Sequence, residues 1–107
     1  MTGTAHGVQP FVIDIAPQVI EDLQDRLRRT RWPADFGNDD WSYGVEGGYL
    51  RDLVAYWADG YDWYAQQEAM NRHAHYRTEI DGVLLHFLRE PGKGPDPVPL
   101  ILTHGWP

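Results

Sequence analysis

The spacing of apolar residues changes once along this chain, near His73, and that change limits the fold more than any other feature. Before it, apolar side chains recur at helical intervals. After it, they alternate or run continuously, as strands require. Val19, Ile20, Leu23 and Leu27 share one helical face, and Pro17 suits a first helical position, so a helix is predicted from Pro17 to about Thr30. Glu21 and Asp22 near its start complement the helix dipole, as does the cluster Arg26, Arg28, Arg29 and Arg31 toward its end. Arg31-Trp32-Pro33 closes it, because a residue before proline is pushed out of helical geometry. Tyr49, Leu50, Leu53, Val54 and Trp57 predict a second helix from Tyr49 to about Ala58, broken by Gly60. A third is predicted from Asp62, a suitable N-cap, to about Asn71, with Trp63, Gln67 and Met70 on one face.

Beyond the change, Tyr76, Thr78 and Ile80 alternate with Arg77 and Glu79. Asp81-Gly82 then predicts a two-residue hairpin turn leading into a second strand, Val83 to Leu88. A Pro/Gly loop, Pro91 to Pro97, precedes the run Val98 to Thr103, whose continuous apolar character marks a strand covered on both faces. Met1 to Gln9 reads as a loose tail, Phe11 to Ile15 as a short extended segment, and Ala34 to Gly48 as a loop anchored by Trp41 and Tyr43. The fold class is therefore α/β: a flexible tail over 1–9, a helical region over 10–72, and a β portion over 73–107 that begins with a hairpin.

With 107 residues the chain suits one small domain, and its apolar content supplies material for a core. A formal net charge of -7 argues against nucleic acid or an anionic membrane as partner, since both demand basic surface. The sequence has no cysteine, which excludes disulfides, thiolate nucleophiles and Cys-based zinc sites and suits a reducing compartment. The N-terminus lacks a basic region followed by an apolar one, and the longest apolar run is far shorter than a membrane span. The expectation is a cytoplasmic protein with no membrane anchor.

The sharpest motif is His104-Gly105-Trp106-Pro107, which follows the apolar run directly. A developing oxyanion needs preorganised donors, and a backbone N–H held in a tight turn supplies one without reorganisation. Gly105 permits close backbone approach. A strand emptying into this turn resembles the loop after the third strand of an α/β-hydrolase, where one oxyanion-hole N–H resides. Read alone, the four residues equally describe a simple turn.

The upstream residues extend the likeness. Phe11-Val12-Ile13-Asp14-Ile15, Arg28-Arg29-Thr30-Arg31-Trp32-Pro33, Trp41-Ser42-Tyr43-Gly44 with Tyr49-Leu50 and Leu53, Tyr56-Trp57, and Tyr61-Asp62-Trp63 come in order. They are joined by Thr78-Glu79-Ile80-Asp81-Gly82 with His86-Phe87, and by Leu102-Thr103 before the terminal turn. Together they resemble the microsomal-type epoxide hydrolases over nearly the whole chain from Pro10. Tyr64 departs from the pattern, since the family more often has arginine there, and a salt bridge at that point is in doubt. The resemblance implies the third strand of an incomplete α/β-hydrolase sheet at Val98 to Thr103 and a chain cut at its oxyanion loop.

The same resemblance implies an enzyme that adds water to a small-molecule epoxide to give a vicinal diol. An aspartate attacks an epoxide carbon and forms an ester; a His–acid pair activates water to hydrolyse it; two lid tyrosines polarise the epoxide oxygen. The resemblance places all of these side chains downstream of the turn. What remains here is the backbone N–H of Trp106, with His104, Gly105 and Pro107 shaping its turn, and Pro107 cis by implication. No cofactor and no metal are implied. Two alternatives stay open: a non-catalytic module that wraps or pairs with another subunit, a homodimer included, and another α/β-hydrolase such as a haloalkane dehalogenase.

Other residues offer weaker chemistry. His73 and His75 stand two apart and could both ligate a metal, but no third ligand accompanies them and a solvated boundary loop explains them. Asp39-Asp40 lie in a Gly/Asn-rich loop, where adjacent carboxylates usually form turns. Ser42 is the only serine and lies in no nucleophile elbow. Trp57, Tyr61 and Trp63 read as packing, and His86 as a half-buried strand residue.

Overall fold

A computed structural model describes residues 6–34 and 36–106. Its elements are β1 (His6–Phe11), α1 (Pro17–Arg28), α2 (Gly47–Asp59), α3 (Trp63–Met70), β2 (His75–Ile80) and β3 (Val83–Leu88). They form two compact units, one holding the strands, up to Val12 and from Asn71 onward, and one holding the helices, Ile13–Met70.

The strand unit is an antiparallel sheet in the order β1-β2-β3. Asp81 and Gly82 both take positive φ, 52° and 78°, as a two-residue turn of the hairpin type requires. The turn sets Ile80 opposite Val83, and the register follows without slippage to His75 opposite Leu88. β1 adds on the far side of β2, with Phe11 opposite His75 and Pro10 opposite Tyr76. The residues His6 to Gln9, expected in a loose tail, belong to this strand because β2 offers them a ladder of backbone partners, a long-range effect that polar tail composition does not reveal. The rest of that tail lies outside the described residues.

Val98 to Thr103 also departs from the expectation drawn from the sequence. This run makes no strand, and Val98, Leu100, Ile101 and Leu102 are all exposed, Ile101 at 88%. Its apolar character fits a strand covered on both faces, but a strand forms only where a neighbour satisfies its N–H and C=O groups. Among the described residues none does so, and the sheet consists of β1, β2 and β3 without a hydrolase-type third strand from this run.

In the helical unit, α1 and α2 pack together. Ile20, Leu23 and Leu27 of α1 and Leu50 and Val54 of α2 are half-buried, while Ala58, at 2% exposure, is the only fully buried apolar residue among those described. Val19 turns outward, since adjacent helical positions cannot both face one partner. Leu53, Tyr56 and Trp57 remain exposed, so the apolar content expected to build a core is largely spent at the surface. Polar contacts hold the unit in compensation. Arg28 donates to Asp59 at 2.8 Å across α1 and α2, and this hydrogen bond, with the charge of Asp59 and Asp25 nearby, raises its pKa.

Helix ends differ from expectation by a few residues. α1 stops at Arg28 because Arg29 leaves helical geometry and the Thr30 hydroxyl donates to the Leu27 carbonyl at 2.7 Å. Glu21 and Asp22 fall past the first turn, too far along for the N-terminal dipole; Asp22 instead pairs with Arg26 at 2.8 Å. Asp62 caps α3 as expected, its carboxylate accepting from Ala65 N–H at 3.0 Å. α2 begins two residues early, at Gly47, because Glu46 caps it: its two carboxylate oxygens accept from Gly48 N–H at 2.6 Å and Tyr49 N–H at 2.7 Å.

Two outcomes test this description. The amides of Leu100 to Thr103 are expected to exchange with solvent like those of an unstructured peptide, while Val83, Leu85 and Phe87 are protected by β2; protection of the former in a monomer would contradict it. The hydrogen bonds from Tyr49 and Gly48 hold the Glu46 carboxyl below its ordinary 4.5. A depressed carboxylate pKa contributes stability above the ordinary value and loses it as pH falls through the lowered one. Acidification below 4.5 is therefore expected to shift the Gly48 and Tyr49 amide resonances as the cap is lost. Glu46→Gln should abolish that dependence.

Candidate functional site

The segment expected to turn is built from residues that touch little else. His104, Gly105 and Trp106 follow the exposed run, and Trp106 is 98% exposed. Nothing lies within 4 Å of where a Cβ on Gly105 would stand. One contact orders the segment: the Nδ1–H tautomer of His104 donates to the Gly105 carbonyl at 2.8 Å. A trans peptide sets its N–H opposite its C=O, so holding the Gly105 oxygen on one side directs the Trp106 N–H to the other. The Trp106 N–H is the donor that the sequence reading expects of an oxyanion hole. Pro107, and with it the expected cis bond, lies outside the described residues.

His73 and His75 go to different partners. His73 contacts Glu90 through Nδ1 at 2.9 Å, and Nδ1 of His75 lies 2.9 Å from Nε2 of His86. The His75 and His86 rings stack with centroids 5.1 Å apart, Phe11 stands edge-on to both, and the Arg77 guanidinium lies 3.5 Å above the Phe11 ring. His75 is 8% exposed, whereas His86, expected half-buried, is exposed. The cluster ties β1 to the hairpin on one sheet face; among the described residues no three metal-ligating side chains converge.

In the helical unit the organising residue is Asn38, not the carboxylates beside it. At 6% exposure, its Nδ2 donates to the carbonyls of Gly44 and Val45 at 3.1 and 3.2 Å, and its Oδ1 accepts from Tyr43 N–H at 3.0 Å. It closes a loop in which Trp41 takes a positive φ of 67°. Asp40 accepts from Ser42 N–H at 3.1 Å, and hydrogen bonds from Ser42 lower its pKa, so this pair forms a turn rather than an acid–base couple. The loop and α2 border a cleft of about 420 Å³ lined by Trp32, Phe36, Tyr43, Leu50 and Arg51, with Arg51 5.1 Å from the Trp32 ring centre.

Trp57, Tyr61 and Trp63, expected to be packed, line an open apolar cleft with Leu23, Leu53 and Tyr56. Gln67 grips the segment ahead of α1: its Oε1 accepts from Ile15 N–H at 2.9 Å and from Trp63 Nε1–H at 3.2 Å. Tyr64 donates its hydroxyl to the Ile15 carbonyl at 3.3 Å, so the residue that departs from the family pattern makes a backbone contact where an ion pair was in doubt. Asn38 and Glu46 escaped sequence reasoning, and Gln67 entered it only as part of a helix face. Their signals were slight: an amide in a Gly-rich loop, an acid before Gly-Gly and an apolar stripe, and a glutamine four residues after a tryptophan.

Helices followed by an antiparallel hairpin, with an apolar run ending in His-Gly-Trp, agree with the opening part of an α/β-hydrolase chain of the epoxide hydrolase kind. The crystal structure of juvenile hormone epoxide hydrolase from the silkworm Bombyx mori superimposes with a TM-score of 0.74 at 28% identity, over 83% of this chain and 24% of that one. Residues 8–107 match the family described as epoxide hydrolase N terminus, and the chain belongs to that family. A putative epoxide hydrolase of Stigmatella aurantiaca is 43% identical over 101 residues, and epoxide hydrolase 1 of Oryctolagus cuniculus 33% identical over 104. Each alignment covers 94% of this chain but only 23% of the relative. Because the family match takes in the helical region, it leaves no support for the haloalkane dehalogenase alternative.

Removing the Asn38 side chain strands one N–H and two carbonyls. Asn38→Ala is expected to cost about 1–3 kcal/mol in denaturant unfolding of the helical unit and to broaden the Tyr43–Val45 amide resonances. Unchanged stability would show the loop to be held otherwise.

Proposed function

We propose that these residues serve as the N-terminal portion of an epoxide hydrolase, which adds water across a small-molecule epoxide to give a vicinal diol. The observation that carries the reading is the family match running from residue 8 through the His104-Gly105-Trp106 turn. The chain spans about a quarter of its relatives' length, and the reading assigns the nucleophilic aspartate, the His–acid pair and the lid tyrosines to the larger remainder.

The aspartate carboxylate attacks an epoxide carbon, the C–O bond breaks, and the ring oxygen leaves as an alkoxide that takes a proton from the lid. Water, deprotonated by the His–acid pair, then adds to the ester carbonyl. The resulting tetrahedral oxyanion accepts a hydrogen bond from Trp106 N–H, while His104 holds the same peptide by its carbonyl. Collapse releases the diol and restores the carboxylate. In this reading the hydrophobic surface of the helical unit and the exposed run Val98 to Leu102 are covered by the rest of the enzyme. A cytoplasmic setting, with no nucleic-acid partner, belongs to the same reading.

Grafting residues 8–107 in place of the matching region of the Stigmatella aurantiaca relative tests it. The chimera is expected to form diol from styrene oxide, and the 107-residue chain alone to give none. Within the chimera, Trp106→Pro should lower kcat by about 10²–10³ with little change in KM, because it deletes one oxyanion donor, while Trp106→Phe retains activity. A folded but inactive chimera, or turnover by the chain alone, would sink the reading.

A further inference from the structure

The sequence carries two Asp-Gly steps, Asp59-Gly60 and Asp81-Gly82. At such a step the glycine nitrogen can attack the Cγ of the aspartate before it, because glycine has no side chain to crowd the approach. Both aspartates are exposed, so exposure does not choose between them. Their hydrogen bonds do.

At the end of α2 both reacting groups are held. The Asp59 carboxylate accepts from Arg28 at 2.8 Å, and Gly60 N–H donates to the Tyr56 carbonyl at 2.7 Å. The Tyr56 ring closes one side of the step, since a Cβ on Gly60 would stand 2.7 Å from Tyr56 Cδ2. Attack there requires the carboxyl to leave Arg28 and the nitrogen to give up its place in the helix.

At the hairpin neither group is held. In a two-residue turn Ile80 and Val83 exchange the ladder hydrogen bonds, and Gly82 N–H stands outside the ladder. Among the described residues, nothing accepts from Gly82 N–H and nothing donates to the Asp81 carboxylate. A Cβ on Gly82 would meet nothing within 4 Å.

We propose that Asp81-Gly82 is a site of spontaneous isoaspartate formation that unlocks the β2–β3 hairpin, and that the fold shields Asp59-Gly60 from the same chemistry. The Gly82 nitrogen bonds to Asp81 Cγ, and the N–H proton leaves with the carboxyl hydroxyl as water, closing a succinimide ring. Water then opens the ring at either carbonyl. Breaking the Cγ–N bond restores aspartate. Breaking the bond from the main-chain carbonyl to nitrogen leaves the chain running through Cβ and Cγ, with a free α-carboxylate. Water is the only other reactant.

The product carries an extra main-chain carbon. It does not fit a turn that joins Ile80 to Val83 through two residues with φ of 52° and 78°. That pair therefore separates first, and fraying runs toward His75 opposite Leu88. The inference goes beyond the proposed function, and its test reads no catalysis.

The experiment ages the 107-residue chain at neutral pH, folded and unfolded in urea, and then digests it with trypsin. Residues 78–89 carry Asp81 and residues 52–72 carry Asp59, so the two steps fall in separate peptides. Fragmentation by mass spectrometry locates isoaspartate, and an isoaspartyl carboxyl methyltransferase, which modifies the free α-carboxylate, counts it. Unfolded, both steps are expected to react at similar rates. Folded, Asp59 should lag Asp81 at least about tenfold, because two hydrogen bonds must break first. Equal rates in the folded chain, or an Asp81 as slow as Asp59, overturn the proposal. Asp81→Asn tolerates the positive φ and closes the same ring by losing ammonia, so it should form isoaspartate faster. Asp81→Glu should form none at this position. Aged chains separated from fresh ones should show faster amide exchange at Val83 and Leu85. Unchanged exchange overturns the unlocking of the hairpin. The same preference for Asp81 is expected in the grafted chimera, and its absence there overturns the assignment for the enzyme.

Discussion

The two-residue turn at Asp81-Gly82 governs the strand unit. By making Ile80 and Val83 partners, it fixes which residues of β2 face β3 and which face β1. From that alternation follow the place of Pro10 opposite Tyr76 and the meeting of Phe11, His75 and His86 on one face. A slip of one residue would exchange the faces and separate the imidazoles. Asp81 accepts a positive φ at modest cost, and Gly82 at none, which is why this dipeptide turns so tightly.

The helical unit rests on a different balance. Ala58 alone among its described apolar residues is fully buried, so polar devices fix the geometry: the Asn38 loop closure, the Glu46 cap, the Arg28–Asp59 pair and the Gln67 bridge to Ile15. Each joins groups that water would otherwise solvate, and each is directional where apolar contact is not. The aromatic surface left exposed, from Trp57 to Tyr61 on one cleft and Phe36 to Tyr43 on another, is apolar material that the helical unit does not itself enclose.

The candidate site was legible as chemistry before it was legible as geometry. His104-Gly105-Trp106 stood out because an apolar run emptying into such a turn has few uses, and the upstream motifs in order pointed to one family, which the match over residues 8–107 establishes. The sequence did not show that His104 contacts the Gly105 carbonyl, because a side chain's choice between a neighbouring backbone group and solvent depends on local dihedrals. Nor did it separate the fates of His73 and His75, whose partners Glu90 and His86 are brought close only by the hairpin.

By itself, the sequence determined the features written in adjacent residues: the hairpin and its turn, the presence and order of three helices, the Asp62 cap, and the family. Periodicity, proline and glycine act over a few positions and need no partner. Tertiary structure alone decided that His6–Phe11 is a strand and that Val98 to Thr103 is not. Both depend on whether a distant backbone offers hydrogen-bond partners. β2 offers them to a polar N-terminal segment, whereas the strongly apolar run has none among the described residues. Strand formation is settled by that pairing, and hydrophobicity only proposes it.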